Sequence, residues 1–257
     1  MDHKLVAKRL YEAEKNCIQI EAPSKEYTEF KVEDAYQVQL INVAKRQEEG
    51  EKVIGMKVGL TSKGMQNLLK VNEPDYGHLT DKMLLREGAI CSFDELIQPK
   101  VEGELAFCLK KTLKGPGVTI ADVYNATDWV VPAIEIVDSR VKDWKISLCD
   151  TIADNGSSAK FVLGSKMTPI SEVDMRLTGM TLEKNGELVN SGTLAEVLGN
   201  PAAAVAWLAN KLSEFNIDLK EGSIILAGAL TAAEIVEKGD IFTINFYGMG
   251  SLTVKFE

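Results

Sequence analysis

The sequence predicts an α+β protein: a small, mainly helical N-terminal region over residues 1–75, joined to a larger β-rich domain over 76–257. Three observations carry that expectation. Apolar residues in the first fifty positions recur at near-helical spacing. From Gln98 onward, short strand-like runs separated by turn residues dominate. No internal repeat, low-complexity segment or linker interrupts the chain.

Taken in order, Ala35, Val38, Ile41 and Ala44, with Leu40 beside them, predict the inner face of a helix that Gly50 ends. Lys52 to Val58 reads as a short strand and Gly59 to Ser62 as a turn, with Ser62 capping a helix to about Val71. The breakers in Asn72-Glu73-Pro74-Asp75-Tyr76-Gly77 predict a loop. Gly115-Pro116-Gly117 is a turn, and Thr119-Ile120-Ala121-Asp122 has the form of a capping box opening a short helix. Val130 to Val137 is a strand whose Pro132 predicts an edge or a bulge. Asn185-Gly186 between Leu182 and Leu188 signals a hairpin. Asn200-Pro201 opens a helix to about Phe215, with Val205, Leu208, Ala209 and Leu212 inward. Ser223 to Ala227, Ile241 to Phe246 and Leu252 to Phe256 close the chain as strands.

Composition narrows the function. Hydrophobic content of 45% and charged content of 26% are those of an ordinary globular protein. A net charge of −9, with no basic cluster, argues against nucleic-acid or anionic-membrane partners. The N-terminus has no apolar stretch of the signal-peptide kind, and no segment approaches a membrane span, so a cytoplasmic protein is expected. Cys17, Cys91, Cys108 and Cys149 lie far apart and read as reduced thiols. With only His3 and His78 present, histidine-rich zinc sites are excluded and a Ser-His-Asp triad has one plausible base.

The most informative segment is Val101-Glu102-Gly103-Glu104-Leu105-Ala106-Phe107. On a strand, Glu102 and Glu104 share one face while Val101, Gly103, Leu105, Phe107 and Leu109 form a core face. Ala106 and Cys108 follow the acids, so that face is at least half buried beyond them. Paired carboxylates in partial burial resist ionisation unless a cation joins them, and hard oxygen ligands suit Mg²⁺ or Mn²⁺ rather than zinc. The alternative is a solvated acidic face.

Glu135, between isoleucines, needs a partner if buried. Either it pairs with Arg140 or a lysine elsewhere, or it is the third carboxylate of the same site. Asp138 points to the opposite face and is expected to pair with Arg140 or to cap the strand's end. Lys57 stands between Gly55 and Gly59, which allow close approach by a ligand, although most such lysines are simply solvated. The segment is neither a phosphate loop nor a dinucleotide fingerprint. Asp75 and His78 carry chemistry or merely shape a turn. Ala153-Asp154-Asn155-Gly156-Ser157-Ser158 is expected to be a surface turn, unless its hydroxyls and N–H groups bind a carboxylate.

These segments together resemble the 2-oxopent-4-enoate (2-hydroxypenta-2,4-dienoate) hydratase family of the fumarylacetoacetate hydrolase superfamily, which also holds 4-oxalocrotonate decarboxylase. The resemblance lies in the run from Gly55 to Ser62, in Glu73 to Asp81, in Gln98 to Glu104, in Glu135 to Arg140 and in Ala153-Asp154-Asn155, in family order. It continues more weakly through the helix after Pro201 to Gly228-Ala229-Leu230-Thr231. Gly156 stands where many members carry alanine.

The resemblance implies a fumarylacetoacetase C-terminal-domain-like, mixed and rolled β-sheet core behind the helical N-terminal region. It implies Mg²⁺ or Mn²⁺ held by Glu102, Glu104 and Glu135, catalytic roles for Lys57 and Asp75, and substrate contacts at Ser157 and Leu60. The implied reaction is addition of water to 2-hydroxypenta-2,4-dienoate, giving 4-hydroxy-2-oxopentanoate in the breakdown of aromatic rings. A homo-oligomer built from dimers is implied too, as is association with a related decarboxylase or hydratase. Rival readings are 4-oxalocrotonate decarboxylation, hydration of 2-oxohept-4-ene-1,7-dioate, and an inert stabilising partner. An inert partner has no reason to keep like charges clustered.

Overall fold

The computed structural model describes residues 1–69 and 71–257. Its N-terminal helices are α1 (His3–Lys15), α2 (Pro23–Glu26) and α3 (Val32–Glu48). Next come β1 (Val53–Gly59), α4 (Lys63–Leu69), β2 (Asp75–Thr80), β3 (Leu84–Leu85), β4 (Ile90–Cys91) and β5 (Pro99–Leu109). The middle of the chain forms α5 (Ile120–Ala126), β6 (Thr127–Asp138), α6 (Leu148–Ala153), β7 (Ser158–Leu163), β8 (Gly179–Lys184) and β9 (Glu187–Thr193). The last elements are α7 (Pro201–Leu212), β10 (Ile224–Ala229), β11 (Glu234–Ile235), β12 (Ile241–Phe246) and β13 (Gly250–Phe256). The helix expected from Ser62 to about Val71 begins as predicted, with the Ser62 hydroxyl accepting from the Met65 N–H; it is described to Leu69, and Lys70 lies outside the described residues.

The described strands form two sheets. The larger has the order β2-β1-β10-β5-β6-β7-β3, with β11 added beside β5; the smaller runs β4-β13-β12-β8-β9. Parallel pairs (β1 with β10, β3 with β7, β4 with β13) are mixed with antiparallel ones. Thus β1, which carries Lys57, hydrogen-bonds into the large sheet although it lies within the first 75 residues. The core face of β5 packs on the smaller sheet, where Val101, Leu105 and Phe107 share one cluster with Met180, Phe242 and Ile244. Gly103 marks the tightest point: a Cβ there would lie 2.7 Å from the Met180 methyl. That approach leaves the opposite face of β5, with its glutamates, free for chemistry.

Several elements match the sequence reading in kind. Thr119 and Asp122 form the capping box of α5, and Asn185 (φ 56°) and Gly186 (φ 83°) turn the β8–β9 hairpin. Others differ. Ala44 is exposed and Val43 takes its place in the buried stripe of α3, because a strict three-residue repeat runs ahead of a 3.6-residue helix. The strand with Pro132 is interior, flanked by β5 and β7. Pro132 is tolerated there because the register breaks beside it: its carbonyl accepts from Gly164 just past the end of β7, and pairing resumes only at Val130 with Thr168. Asp75, Tyr76 and Gly77 belong to the buried strand β2 and not to a loop, since β1 supplies their backbone partners. Finally, residues 153–158 are buried, apart from the half-buried Asn155.

The N-terminal helices reach the large sheet through Gln39 of α3. Its amide donates to the Tyr76 carbonyl (2.9 Å) and the Ile152 carbonyl (2.8 Å), tying β2 and α6 to α3. The four cysteines are free thiols. No helix among the described residues is long and apolar enough to cross a membrane.

Candidate active site

Cross-strand partners in a sheet point to the same face, so the register decides which side chains meet. Lys57 pairs with Leu226, Leu226 with Ala106, and Ala106 with Val131, forming one row across β1, β10, β5 and β6. Glu104 and Glu102 lie two and four residues along β5 from that row, on the same face. Glu135 sits directly opposite Glu102. Asp75 sits opposite Gly59, two residues from Lys57. Five ionisable side chains from four strands therefore converge on one face of the sheet.

The three glutamates each bring a carboxylate oxygen within 4.8 Å of the others. Glu104 accepts a hydrogen bond from the Gly228 N–H at 2.8 Å. Glu135 is 0% exposed, and neither of its oxygens has a hydrogen-bond partner. An ionised carboxylate in that setting is stable only beside positive charge. Part of that charge is the Lys57 ammonium, 3.4 Å from Glu135 and donating to the Gly156 carbonyl at 3.0 Å. One lysine cannot balance three acids. The remaining deficit, with the unsatisfied oxygens, fits a hard divalent cation bound by Glu102, Glu104 and Glu135.

The electrostatics agree with the geometry. Burial, with the nearby Glu135 charge adding to it against Lys57, pushes the Glu102 carboxyl up to about 7. Burial and the Glu135 and Glu102 charges push Glu104 well above the usual carboxylate range. Lys57 shows the opposite balance: burial disfavours its charge, but Glu135, Asp75, Glu102 and Glu104 more than offset that and hold its pKa above the ordinary lysine value. Asp75 is raised chiefly by burial, and its Oδ1 has no hydrogen-bond partner. Gly59 separates it from Lys57, and a Cβ at that position would lie 2.2 Å from the Asp75 oxygen.

Ser157 and Leu60 frame the site differently from the acids. Ser157 is buried in the turn after α6, its hydroxyl 3.4 Å from Asp154 Oδ2. Leu60 follows β1 with φ 56°, and its carbonyl accepts from Gln66. Left-handed backbone at such residues costs roughly 1 kcal/mol each and persists where surrounding contacts fix it. His78 is tied through Nδ1 to the Gln39 amide (2.9 Å) and not to the carboxylate a triad base needs, and burial lowers its pKa to about 4, which makes it a weak base.

Of the two roles the sequence offered Asp138, an ion pair with Arg140 or a strand cap, the ion pair fails: the Arg140 guanidinium pairs with Asp154, its Nε 2.5 Å from Asp154 Oδ1. Asp138 instead accepts from the backbone N–H groups of Ile97 and Gln98, capping the start of β5. Sequence reasoning also missed the Gly156 carbonyl and the Gly228 N–H as partners of site residues. Backbone groups carry no side-chain signal, and the glycines alone do not reveal them.

The sheet and its convergent acids define an enzyme of the fumarylacetoacetate hydrolase superfamily. The family model described as fumarylacetoacetate (FAA) hydrolase C-terminal matches residues 70–257, and the chain belongs to that family. It is 46% identical to the 2-hydroxyhexa-2,4-dienoate hydratase of Comamonas testosteroni, covering 96% of this chain and 95% of that protein. Identity to a 2-hydroxypent-2,4-dienoate hydratase of Pseudomonas putida is 52%, over 72% of this chain and 84% of the relative. Among solved structures, 4-oxalocrotonate decarboxylase from Pseudomonas putida G7, complexed with magnesium and adipate, superposes with a TM-score of 0.95 at 38% identity, covering 98% and 96% of the two chains. These relatives mark the chain as a lyase of the hydratase type.

Proposed function

We propose that the protein is a divalent-metal-dependent hydratase that adds water to 2-hydroxypenta-2,4-dienoate or a close 2-hydroxydienoate. The observation that carries the reading is the group of three carboxylates beside buried Lys57, with both Glu135 oxygens unsatisfied. Identities of 46% and 52% to hydratases, against 38% to the decarboxylase, favour hydration over loss of CO₂. Glu102, Glu104 and Glu135 would hold Mg²⁺ or Mn²⁺. When bound, the cation supplies Lewis-acid charge to the carboxylate and C2 oxygen of a 2-oxo acid.

The chain's own residues do the rest. Lys57 keeps its proton and offers a fixed positive charge to the substrate carboxylate or to the enolate oxygen as charge develops there. Asp75, raised by burial, carries the proton that passes between the C2 hydroxyl and C5. Water then adds at C4 of the resulting enone to give the 4-hydroxy-2-oxo acid. Ser157 binds the carboxylate, and Leu60 lines the carbon chain. Burial around the site keeps bulk water from screening these charges.

A paired assay tests the reading: purified protein with Mg²⁺ or Mn²⁺ on 2-hydroxypenta-2,4-dienoate and on 4-oxalocrotonate, following ultraviolet absorbance and CO₂. Absorbance loss on the first without gas is the expected result. Gas from the second would replace hydration with decarboxylation.

Metal binding is expected to be pH-dependent. Burial and the neighbouring acids push Glu102 up to about 7 and Glu104 well above the usual carboxylate range, so Mg²⁺ must displace protons to bind. Affinity should therefore fall as pH drops through 7, with proton release visible by calorimetry in buffers of different ionisation enthalpy. The stability sign follows. Carboxyls raised on folding favour the metal-free fold at low pH, and that contribution is lost as pH rises from the ordinary glutamate range through about 7. Mg²⁺ should then raise Tm more at pH 8 than at pH 6. An affinity that does not change between those values would count against clustered acids.

A further inference from the structure

We infer that Arg140 and Asn155 are positioning residues, which lock the turn Asp154–Ser157 so that the Gly156 carbonyl holds the Lys57 ammonium beside Glu135. The inference rests on the reading of Lys57 as the group that meets the substrate. Neither Arg140 nor Asn155 is among the five convergent ionisable groups.

The turn is built from three successive left-handed residues: Asn155 (φ 57°), Gly156 (φ 62°) and Ser157 (φ 54°). Asparagine and glycine tolerate that conformation, but serine does so only when neighbours impose it. Arg140 is one such neighbour. Its Nε donates to Asp154 Oδ1 and its Nη2 to the Asp154 carbonyl, both at 2.5 Å. Its backbone N–H donates to Asp154 Oδ2 at 3.0 Å. A third guanidinium nitrogen, Nη1, donates to the Asp138 carbonyl at 2.7 Å, at the end of the strand that carries Glu135. One buried guanidinium thus ties the turn to β6.

Asn155 ties it to the other side. The Asn155 side-chain oxygen accepts from the His78 N–H at 2.8 Å and its amide donates to the His78 carbonyl at 2.9 Å, a two-bond clamp on β2. Strand β2 also carries Asp75. Between these two anchors the Gly156 carbonyl is held 3.0 Å from Lys57 Nζ, while Glu135 lies 3.4 Å away. A lysine has a flexible stem and a compact charge, so a fixed acceptor decides where its ammonium rests. Without that carbonyl, only the carboxylates would direct it, and it would settle among them.

The test uses two variants of the full-length protein with 2-hydroxypenta-2,4-dienoate at saturating Mg²⁺. Asn155→Gly keeps a residue that accepts φ 57° and removes the clamp, so the variant is expected to fold. Its kcat should fall about tenfold to a hundredfold, as for a displaced catalytic group, with KM and the Mg²⁺ titration midpoint little changed. Arg140→Ala should lose as much or more, with partial recovery on adding guanidinium. In a crystal structure of Asn155→Gly, Lys57 Nζ should lie beyond hydrogen-bonding distance of the Gly156 carbonyl. A lower Tm with unchanged kcat per folded molecule would make both residues merely structural and overturn the inference, as would an intact Lys57–Gly156 contact in that crystal structure. Should Arg140→Ala fail to fold, Asn155→Gly decides. Should the wild-type protein leave the dienoate untouched, the hydratase reading fails, and the crystal structure still decides the positioning role.

Discussion

Glu104→Gln is expected to abolish turnover while leaving the metal-free protein as stable as before. Burial and two neighbouring acids push the Glu104 carboxyl well above its ordinary range, so the metal-free site favours its protonated form. Glutamine has nearly the shape of a protonated glutamate, and its carbonyl can still accept from the Gly228 N–H. The metal-free fold therefore loses nothing. What the variant cannot do is release a proton and present an anionic oxygen to a cation. Saturating Mg²⁺ at a hundred times Kd would stabilise the wild type by about 2.7 kcal/mol, a thermal shift that should be missing in Glu104→Gln. Loss of kcat/KM by about a thousandfold or more, ~4 kcal/mol, is expected. Thermal melts with and without Mg²⁺, beside the rate assay, check all three statements. A variant that still melts higher with Mg²⁺ and still turns over would remove Glu104 from the metal site.

How much of this was legible beforehand depended on the range of the interaction. The pairing of Glu102 with Glu104 was readable because strand alternation is local. That Glu135 joins them depends on the β5–β6 register, which places it opposite Glu102 across 33 residues of sequence; the residues alone left an ion pair with Arg140 or a lysine as the alternative. In the structure Glu135 faces Lys57 as well as the two acids.

The polar segments misled for one shared reason. Residues 72–77 and 153–158 are rich in turn formers, and turn formers usually lie at the surface. Here their polar groups find partners from distant parts of the chain. Strand β1 pairs with β2, Asn155 grips His78, and Arg140 grips Asp154, so most of these groups are satisfied on burial, with Asp75 Oδ1 and the Ser158 hydroxyl among the exceptions. Pro132 signalled an edge or an irregularity, and which of the two depends on the neighbouring strand: it lies inside the sheet, beside a break in register. Local propensity is a weak guide where tertiary partners meet the backbone's needs.

Lys57→Met separates the two duties of the lysine, balancing Glu135 and acting on substrate. Methionine fills the stem's volume without a charge. In the metal-free protein it leaves Glu135, wholly buried, without the ammonium 3.4 Å away. Removing one partner of a buried pair costs about 3–5 kcal/mol, because the survivor is uncompensated. Denaturant unfolding of the metal-free variant beside the wild type reads this loss directly. Mg²⁺ at pH 8 should restore much of the stability, since a bound cation also neutralises Glu135. Turnover should not return, because the charge facing the developing enolate is still missing; the loss expected is about a thousandfold. Stability and activity restored together by Mg²⁺ would mean that Lys57 only balances charge, and the catalytic role would pass to Asp75 and the metal.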